Sequence, residues 1–253
     1  MNVTVLAKFV PNPQGTPTLG PDNLLVRDAG DGALDPGDEY GLELALQLAE
    51  ASGGEVTVVS MGPDDAMTAV RRALAMGAHK GVLVSDPGLR GADALVTARV
   101  LAAAVARTTY DLVIAGSEST DGYTGTVPVT VAELLDLPSV TAIRTLDATG
   151  EGGFRIERQT EDGYDVLTCP APALVTVTTG ATEPRYPSLK GIMGAKQKPV
   201  EQLTAADLGV GDLASTQSVV AVVDAPAKAG GQIVSGDEAI AKIADLLQEA
   251  KVI

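Results

Sequence analysis

Short apolar runs alternate with segments of helical period along the first 145 residues. Residues 2–9 (NVTVLAKF) read as a buried strand. Asp35 and Pro36 then open a helix, the acid as N-cap and the proline in the first turn, with Leu42, Ala45, Leu46, Leu48 and Ala49 on one face. The SGG at 52–54 stops it. The cycle repeats as strand 55–60, helix 64–76 ended by Gly77, strand 80–84, helix 92–107, strand 110–115, helix 127–135 and strand 139–143. Strands separated by helices of this length predict a mostly parallel, doubly wound α/β sheet, Rossmann-like, with both faces covered.

After residue 145 the rhythm changes. Glycine-rich turns at 150–153 and 161–163 flank segments 154–158 and 164–168, which predict an added antiparallel hairpin. Residues 173–178 return to a buried strand. Residues 182–200 carry neither period and read as a long loop, with a short helix expected near Thr204. The stretch 211–234 reads as an extended arm. SGDE at 235–238 reads as a capping box for a helix through Lys251, with Ile240, Ile243, Leu246 and Leu247 as its apolar positions. The organisation expected is an α/β nucleotide-binding domain over 1–182, a partner-recognition loop over 183–200, and a C-terminal arm and helix over 201–253.

Composition narrows the chemistry. Of 253 residues 45% are hydrophobic but only 3% aromatic, so the core must be built from Ala, Val, Leu and Ile. A formal charge of -15 repels phosphate backbones and argues against a nucleic-acid reader. One Cys (Cys169) and one His (His79) leave no disulfide framework, thiolate metal cluster or multi-His site. His79 sits in MGAHK (76–80), which reads as a helix-to-strand turn. The N-terminal apolar run is too short for a signal peptide or a membrane span, so a cytoplasmic protein without direct membrane insertion is expected. No catalytic acid–base pair or nucleophile can be named.

Three loops after strands could hold a ligand: KFVPNPQG (8–15), SMGPD (60–64) and GSESTDGYTGTVP (116–128). The third joins a buried strand to a helix. Its Gly122 and Gly125 allow close backbone approach, and its Thr124 and Thr126 can donate to phosphate oxygens. A phosphate cradle and a plain capped turn fit it equally well, and it is neither a Walker A nor a GxGxxG sequence. Between Pro184 and Val200 there is no acidic residue, yet Arg185, Lys190, Lys196 and Lys198 fall there with Tyr186, Leu189, Ile192 and Met193. That combination suits docking to an acidic partner, or a loop packed on its own domain.

The segment TEPRYPSLKGIMGAKQK (182–198) closely resembles the signature loop of the electron transfer flavoprotein beta subunit. VLAKFVP (5–11), ALAMGA (73–78), the 115–128 loop and AADLGV (205–210) match further blocks of that family in order. The resemblance implies an adenine nucleotide alpha hydrolase-like fold and one half of an alpha–beta heterodimer. It would take electrons from acyl-CoA-type dehydrogenases and pass them to a quinone oxidoreductase. FAD would be shared with, and held mainly by, the alpha subunit; AMP, or a second FAD in electron-bifurcating members, would lie in the beta subunit. Carried over, the cofactor contacts are Leu6, Ala7, Lys8, Asp35, Pro36, Met61, Asp121, Gly122, Thr124, Gly125, Thr126 and Val127. Leu189 would be the anchor for the dehydrogenase, with Arg185, Tyr186, Ile192 and Met193 around it, and the C-terminal arm and helix would pack on the alpha subunit. Thr182 stands where the family has Asn, Gln159 where many members have Glu facing an alpha-subunit Arg, and Asn12 and Pro13 replace the usual Asp and its neighbour. Tyr123 and Thr126 differ from the Asp and Gln common in relatives with a DGDTAQVG loop, bifurcating ones included, which favours AMP. A stand-alone AMP or ATP module remains the competing reading.

Overall fold

The structure is a computed structural model that describes all residues except 28, 29, 31, 151, 212, 224–230 and 232. It divides into two units, Met1–Val220 and Ala221–Ile253. The first is built on a nine-stranded sheet. Its strands are β1 (Val3–Leu6), β4 (Val56–Met61), β5 (Lys80–Val84), β6 (Leu112–Gly116), β7 (Ser139–Ala148), β8 (Gly153–Thr160), β9 (Gly163–Pro170), β10 (Ala173–Val177) and β11 (Val200–Leu203). The order across the sheet is β11-β5-β4-β1-β6-β10-β7-β8-β9, parallel from β11 to β7 and antiparallel through β8 and β9. Two short strands, β2 (Phe9–Pro11) and β3 (Gly32–Leu34), form a separate antiparallel ribbon.

Both faces of the parallel part are covered. Helices α1 (Pro36–Ser52) and α2 (Met67–Met76) close one face, packing Leu42, Leu46, Val70 and Leu74 with Val5, Val58 and Ile114. Helices α3 (Ala94–Val105) and α4 (Val127–Leu134) close the other, packing Val96, Val100, Leu101 and Val131 with Val59, Val113 and Leu174. Neighbouring residues of one strand therefore serve opposite layers, Val113 one and Ile114 the other, as the two-residue period of a strand requires. The chain winds from β1 to β4 and β5, then crosses back to β6 and β10. The winding direction reverses between β1 and β6, so the crevice beyond their carboxyl ends is the topological switch point.

Local signals were read correctly where they were self-contained. Asp35 accepts from the Gly37 N–H and Pro36 occupies the first turn of α1, which ends at Gly53 in the left-handed region (φ 70°). Four expectations are corrected. The run 2–9 is two strands, because the Asp38 carboxylate takes the Lys8 N–H and the Lys8 carbonyl accepts from Asp35, turning the chain out of the sheet. The loop 182–200 contains a seven-residue helix, α5 (Leu189–Ala195), capped by Ser188, whose hydroxyl accepts from the Gly191 N–H. The segment near Thr204 is not a helix: β11 ends at Leu203 and turns follow, with Asp207 closing back on Thr204. In the second unit, α6 (Asp237–Glu249) starts after Gly236, which offers no capping side chain, so Ser235 is not the cap. The expected arm at 211–234 lies partly outside the described residues.

Candidate functional site

The switch-point crevice is filled from below by the first turn of α1. Two carboxylates enter it, Asp35 fully buried and Asp38 nearly so. Asp35 Oδ2 accepts from the Thr120 N–H (2.7 Å) and hydroxyl (2.8 Å), fixing the loop after β6. Asp38 accepts from the Lys8 N–H (2.7 Å) and the Gly116 N–H (3.1 Å), joining the carboxyl ends of the two strands that flank the crevice. Glycine at 116 keeps this approach open, since a Cβ would stand 2.7 Å from Asp38 Oδ1 and push the carboxylate aside. Burial, and then the charge of Asp35, push the Asp38 carboxyl up to about 7 against the pull of its two N–H donors.

Above the crevice the Lys8 ammonium reaches Ser119 Oγ (3.0 Å) and Asp121 Oδ1 (2.7 Å), while Arg27 meets Asp121 Oδ2 at 2.5 Å. Burial would raise the Asp121 carboxyl, but Lys8 and Arg27 overcome it and hold the group below the ordinary carboxylate range. This three-way pairing pins the root of the 116–128 loop to the N-terminal segment. The loop then runs out to solvent through Gly122, Tyr123 and Thr124, with Gly125 in the left-handed region (φ 61°). Thr126 precedes α4 but makes no side-chain cap; Pro128 carries no N–H and the Thr130 N–H donates to the Thr126 carbonyl, so an anion there would be met by the Val127 and Val129 N–H groups. Leu6 is buried in the same apolar layer against which Met61 and Val127 pack. Ala7 donates its N–H to Val59. Of the expected cofactor contacts, Lys8, Asp35 and Asp121 are thus linked in one network, Leu6, Met61 and Val127 share one apolar layer, and Gly122, Thr124, Gly125 and Thr126 form the exposed rim above.

The expected docking segment presents its apolar side chains outward. Tyr186 is 90% exposed, Leu189 81%, Met193 75% and Ile192 50%. Arg185 faces the other way: its guanidinium donates to both oxygens of Glu43 (2.7 and 2.9 Å) and to Glu50 (2.5 and 3.2 Å). An open groove of about 680 Å³ lies between this side of the sheet and the β8–β9 hairpin, lined by Ser117, Glu118, Gln159, Glu161 and Thr178 among others. Ala142, at φ 55°, stands on its wall where the β7 register shifts against β10. Among the described residues no group of three His, Cys, Asp or Glu is placed to hold a metal, and no helix is long and apolar enough to cross a membrane.

Comparison with known proteins decides the family. The model of the Electron transfer flavoprotein domain matches residues 23–208. The chain is 38% identical to the electron transfer flavoprotein subunit beta of Thermoanaerobacterium thermosaccharolyticum over the full length of both. It is 42% identical to the subunit of the same name from Mycobacterium leprae over 93% of each chain. The chain belongs to the electron transfer flavoprotein beta subunit family. A further relative, 33% identical over the full length of both, is the Caffeyl-CoA reductase-Etf complex subunit CarD of Acetobacterium woodii. As a flavoprotein beta subunit, the chain is an electron-carrier component and pairs with an alpha subunit.

Four residues of this flavoprotein site were not singled out from sequence: Asp38, Thr120, Arg27 and Glu43. Asp38 had a local signal, an acid three residues after the N-cap, but its partners Lys8 and Gly116 lie 30 and 78 residues away. Glu43 lies outside the predicted apolar positions of α1, on the polar side with Gln47 and Glu50, and the partner that covers it, Arg185, is 142 residues away.

Proposed function

We propose that this beta subunit forms a heterodimer with an electron transfer flavoprotein alpha subunit, accepts electrons from acyl-CoA-type dehydrogenases and delivers them to a quinone oxidoreductase. FAD, held mainly by the alpha subunit, supplies the one- and two-electron chemistry. The residues of this chain bind and position. Lys8, Asp35 and Asp121 hold the two loops at the crevice in register. The open first turn of α4, with Thr124, Gly125 and Thr126, is suited to the phosphate of AMP. Gly122 leaves the rim low enough for a ligand to approach the backbone. Leu6, Ala7, Pro36, Met61 and Val127 supply the apolar wall beneath.

Leu189, with Tyr186, Ile192 and Met193, is the surface on which a dehydrogenase docks. A small apolar anchor in a segment with no acidic residue suits brief, fast-exchanging contacts. The stripe Ile240, Ile243, Leu246 and Leu247 on α6, all at least 36% exposed, suits packing on the alpha subunit. The observation that carries the reading is the family match over the whole chain, joined to an apolar tip that this chain leaves exposed.

Co-expression with the partner alpha subunit tests it. A yellow complex that releases one FAD and one AMP per heterodimer on denaturation supports the reading. Two FAD and no AMP would replace it with electron bifurcation. A colourless, stable beta chain with nucleotide bound would replace it with a stand-alone nucleotide module.

A further inference from the structure

The segment from Arg185 to Lys198 is tied to the body of the protein at both ends by charged groups. At its start Arg185 is clamped between Glu43 and Glu50 on α1, and its own N–H donates to Glu43 (3.2 Å). Glu43 is 3% exposed. Burial would raise its carboxyl, but the Arg185 guanidinium and the Gln47 amide hold it below the ordinary range, so the clamp is charged on both sides. At the far end the Lys198 ammonium points inward to the carbonyls of Leu74 (2.9 Å), Gly77 (3.3 Å) and Ala78 (2.6 Å), at the C-terminal end of α2. Arg71, on α2, donates back to the carbonyls of Ala195 (2.7 Å) and Lys198 (2.8 Å). Between the ties, Gly191 lies so close to α2 that a Cβ would stand 2.4 Å from the Ala75 carbonyl oxygen.

Two of the four cations in the acid-free stretch are therefore engaged internally; Lys190 and Lys196 stay exposed. The arrangement answers a physical difficulty. A seven-residue helix does not hold itself together in water, and one that turns Leu189, Ile192 and Met193 to solvent gains little from its own packing. Left untied, the segment would have to order itself on each encounter, which weakens association.

We propose that Glu43, Arg71 and Lys198, acting through Arg185 and the carbonyls of the segment, are positioning residues that hold α5 in its partner-ready form before any dehydrogenase arrives. Arg185 then serves the docking surface from behind rather than as part of it. This rests on the docking role given to Leu189 above, and adds that recognition uses a preformed helix.

The test uses the co-purified heterodimer and three variants: Glu43→Gln, Gly191→Ala and Leu189→Ala. Hydrogen exchange of the peptide spanning 186–196 is measured in the free heterodimer. The wild type should be protected there, and the first two variants should exchange about tenfold faster or more in that peptide with the β6 peptides unchanged. With a substrate-reduced acyl-CoA dehydrogenase as donor, the same two variants should raise the KM for the flavoprotein about tenfold while kcat stays within about twofold. Gly191→Ala leaves the buried carboxylate intact and keeps the test open where Glu43→Gln does not assemble. Wild-type exchange at the rate of an unstructured peptide overturns the proposal. So does a loosened segment with unchanged KM, provided Leu189→Ala raises KM. If Leu189→Ala leaves KM unchanged, the docking reading itself has failed and the positioning role goes with it.

Discussion

Asp38 makes stability depend on pH in a direction opposite to most carboxylates. Its carboxyl is buried beside Asp35 with only two backbone N–H donors, and burial raises it from an ordinary 3.8 to about 7. Between those values the folded protein holds a proton that the unfolded chain has released, so this group's contribution to stability falls as pH rises. Asp38→Asn has the shape of the protonated acid and does not titrate, so comparison with the wild type isolates the effect. From pH 4.5 to 8.5 the wild type should lose about 3 kcal/mol relative to the variant, at about 1.4 kcal/mol per pH unit up to pH 7. With a urea dependence of about 2–3 kcal/mol per molar, that moves the relative midpoint by about 1 M or more. Pulse proteolysis of the heterodimer at graded urea, read from the beta-chain band on a gel, measures it at both pH values. A gap between the two proteins that is the same at pH 4.5 and 8.5 would refute the reasoning, and would mean that the Lys8 and Gly116 N–H groups keep Asp38 ionised throughout.

Other consequences are simpler. Phe154, 1% exposed on strand β8 of the antiparallel hairpin, should cost about 3–5 kcal/mol when changed to Ala, seen as a lower urea midpoint. Gly125→Ala forces a Cβ into the left-handed region at a cost of about 1–2 kcal/mol, and the purified heterodimer should retain less AMP by chromatography of the released nucleotide. Asp121 is held below the ordinary carboxylate range, so its pairing with Lys8 and Arg27 stabilises the fold above pH about 4 and is lost as pH falls below that. Acidification below pH about 4 should therefore release nucleotide from the wild type, and Lys8→Gln should move that release to higher pH.

What could be read from the sequence was what neighbours in the chain decide. Asp35 and Pro36 announced α1 because capping is settled within three residues, and the alternating layers were legible because strands buried on both faces are almost uninterrupted runs of Val, Leu, Ile and Ala. The break at Lys8 was not, since it depends on a carboxylate 30 residues away that could equally have pointed to solvent. Helix α5 was hidden for a related reason. Its apolar side chains face outward and the groups that hold it, Arg71, Glu43 and the end of α2, come from more than 100 residues earlier, so no local period marked it. Of the site residues named from the family's blocks, Lys8, Asp35 and Asp121 lie in one network and Leu6, Met61 and Val127 in one apolar layer, whereas the parts played by Asp38 and Thr120 emerged only from the geometry. The uneven charge proved more divided than composition suggested: Arg185 pairs with Glu43 and Glu50, Lys198 turns inward to the carbonyls at the end of α2, and Lys190 and Lys196 are the exposed cations of the stretch.

In the proposed function this chain presents its flavin-bearing partner to a dehydrogenase through Leu189. Anaerobic mixing of the heterodimer with excess acyl-CoA and a catalytic amount of an acyl-CoA dehydrogenase, which the substrate keeps reduced, followed by loss of the heterodimer's flavin absorbance, is the decisive measurement. Bleaching should be rapid with the wild type and slowed about tenfold or more with Leu189→Ala at subsaturating concentration, with the heterodimer and its cofactor content unchanged. Equal rates for the two proteins, or no bleaching with either, would contradict it.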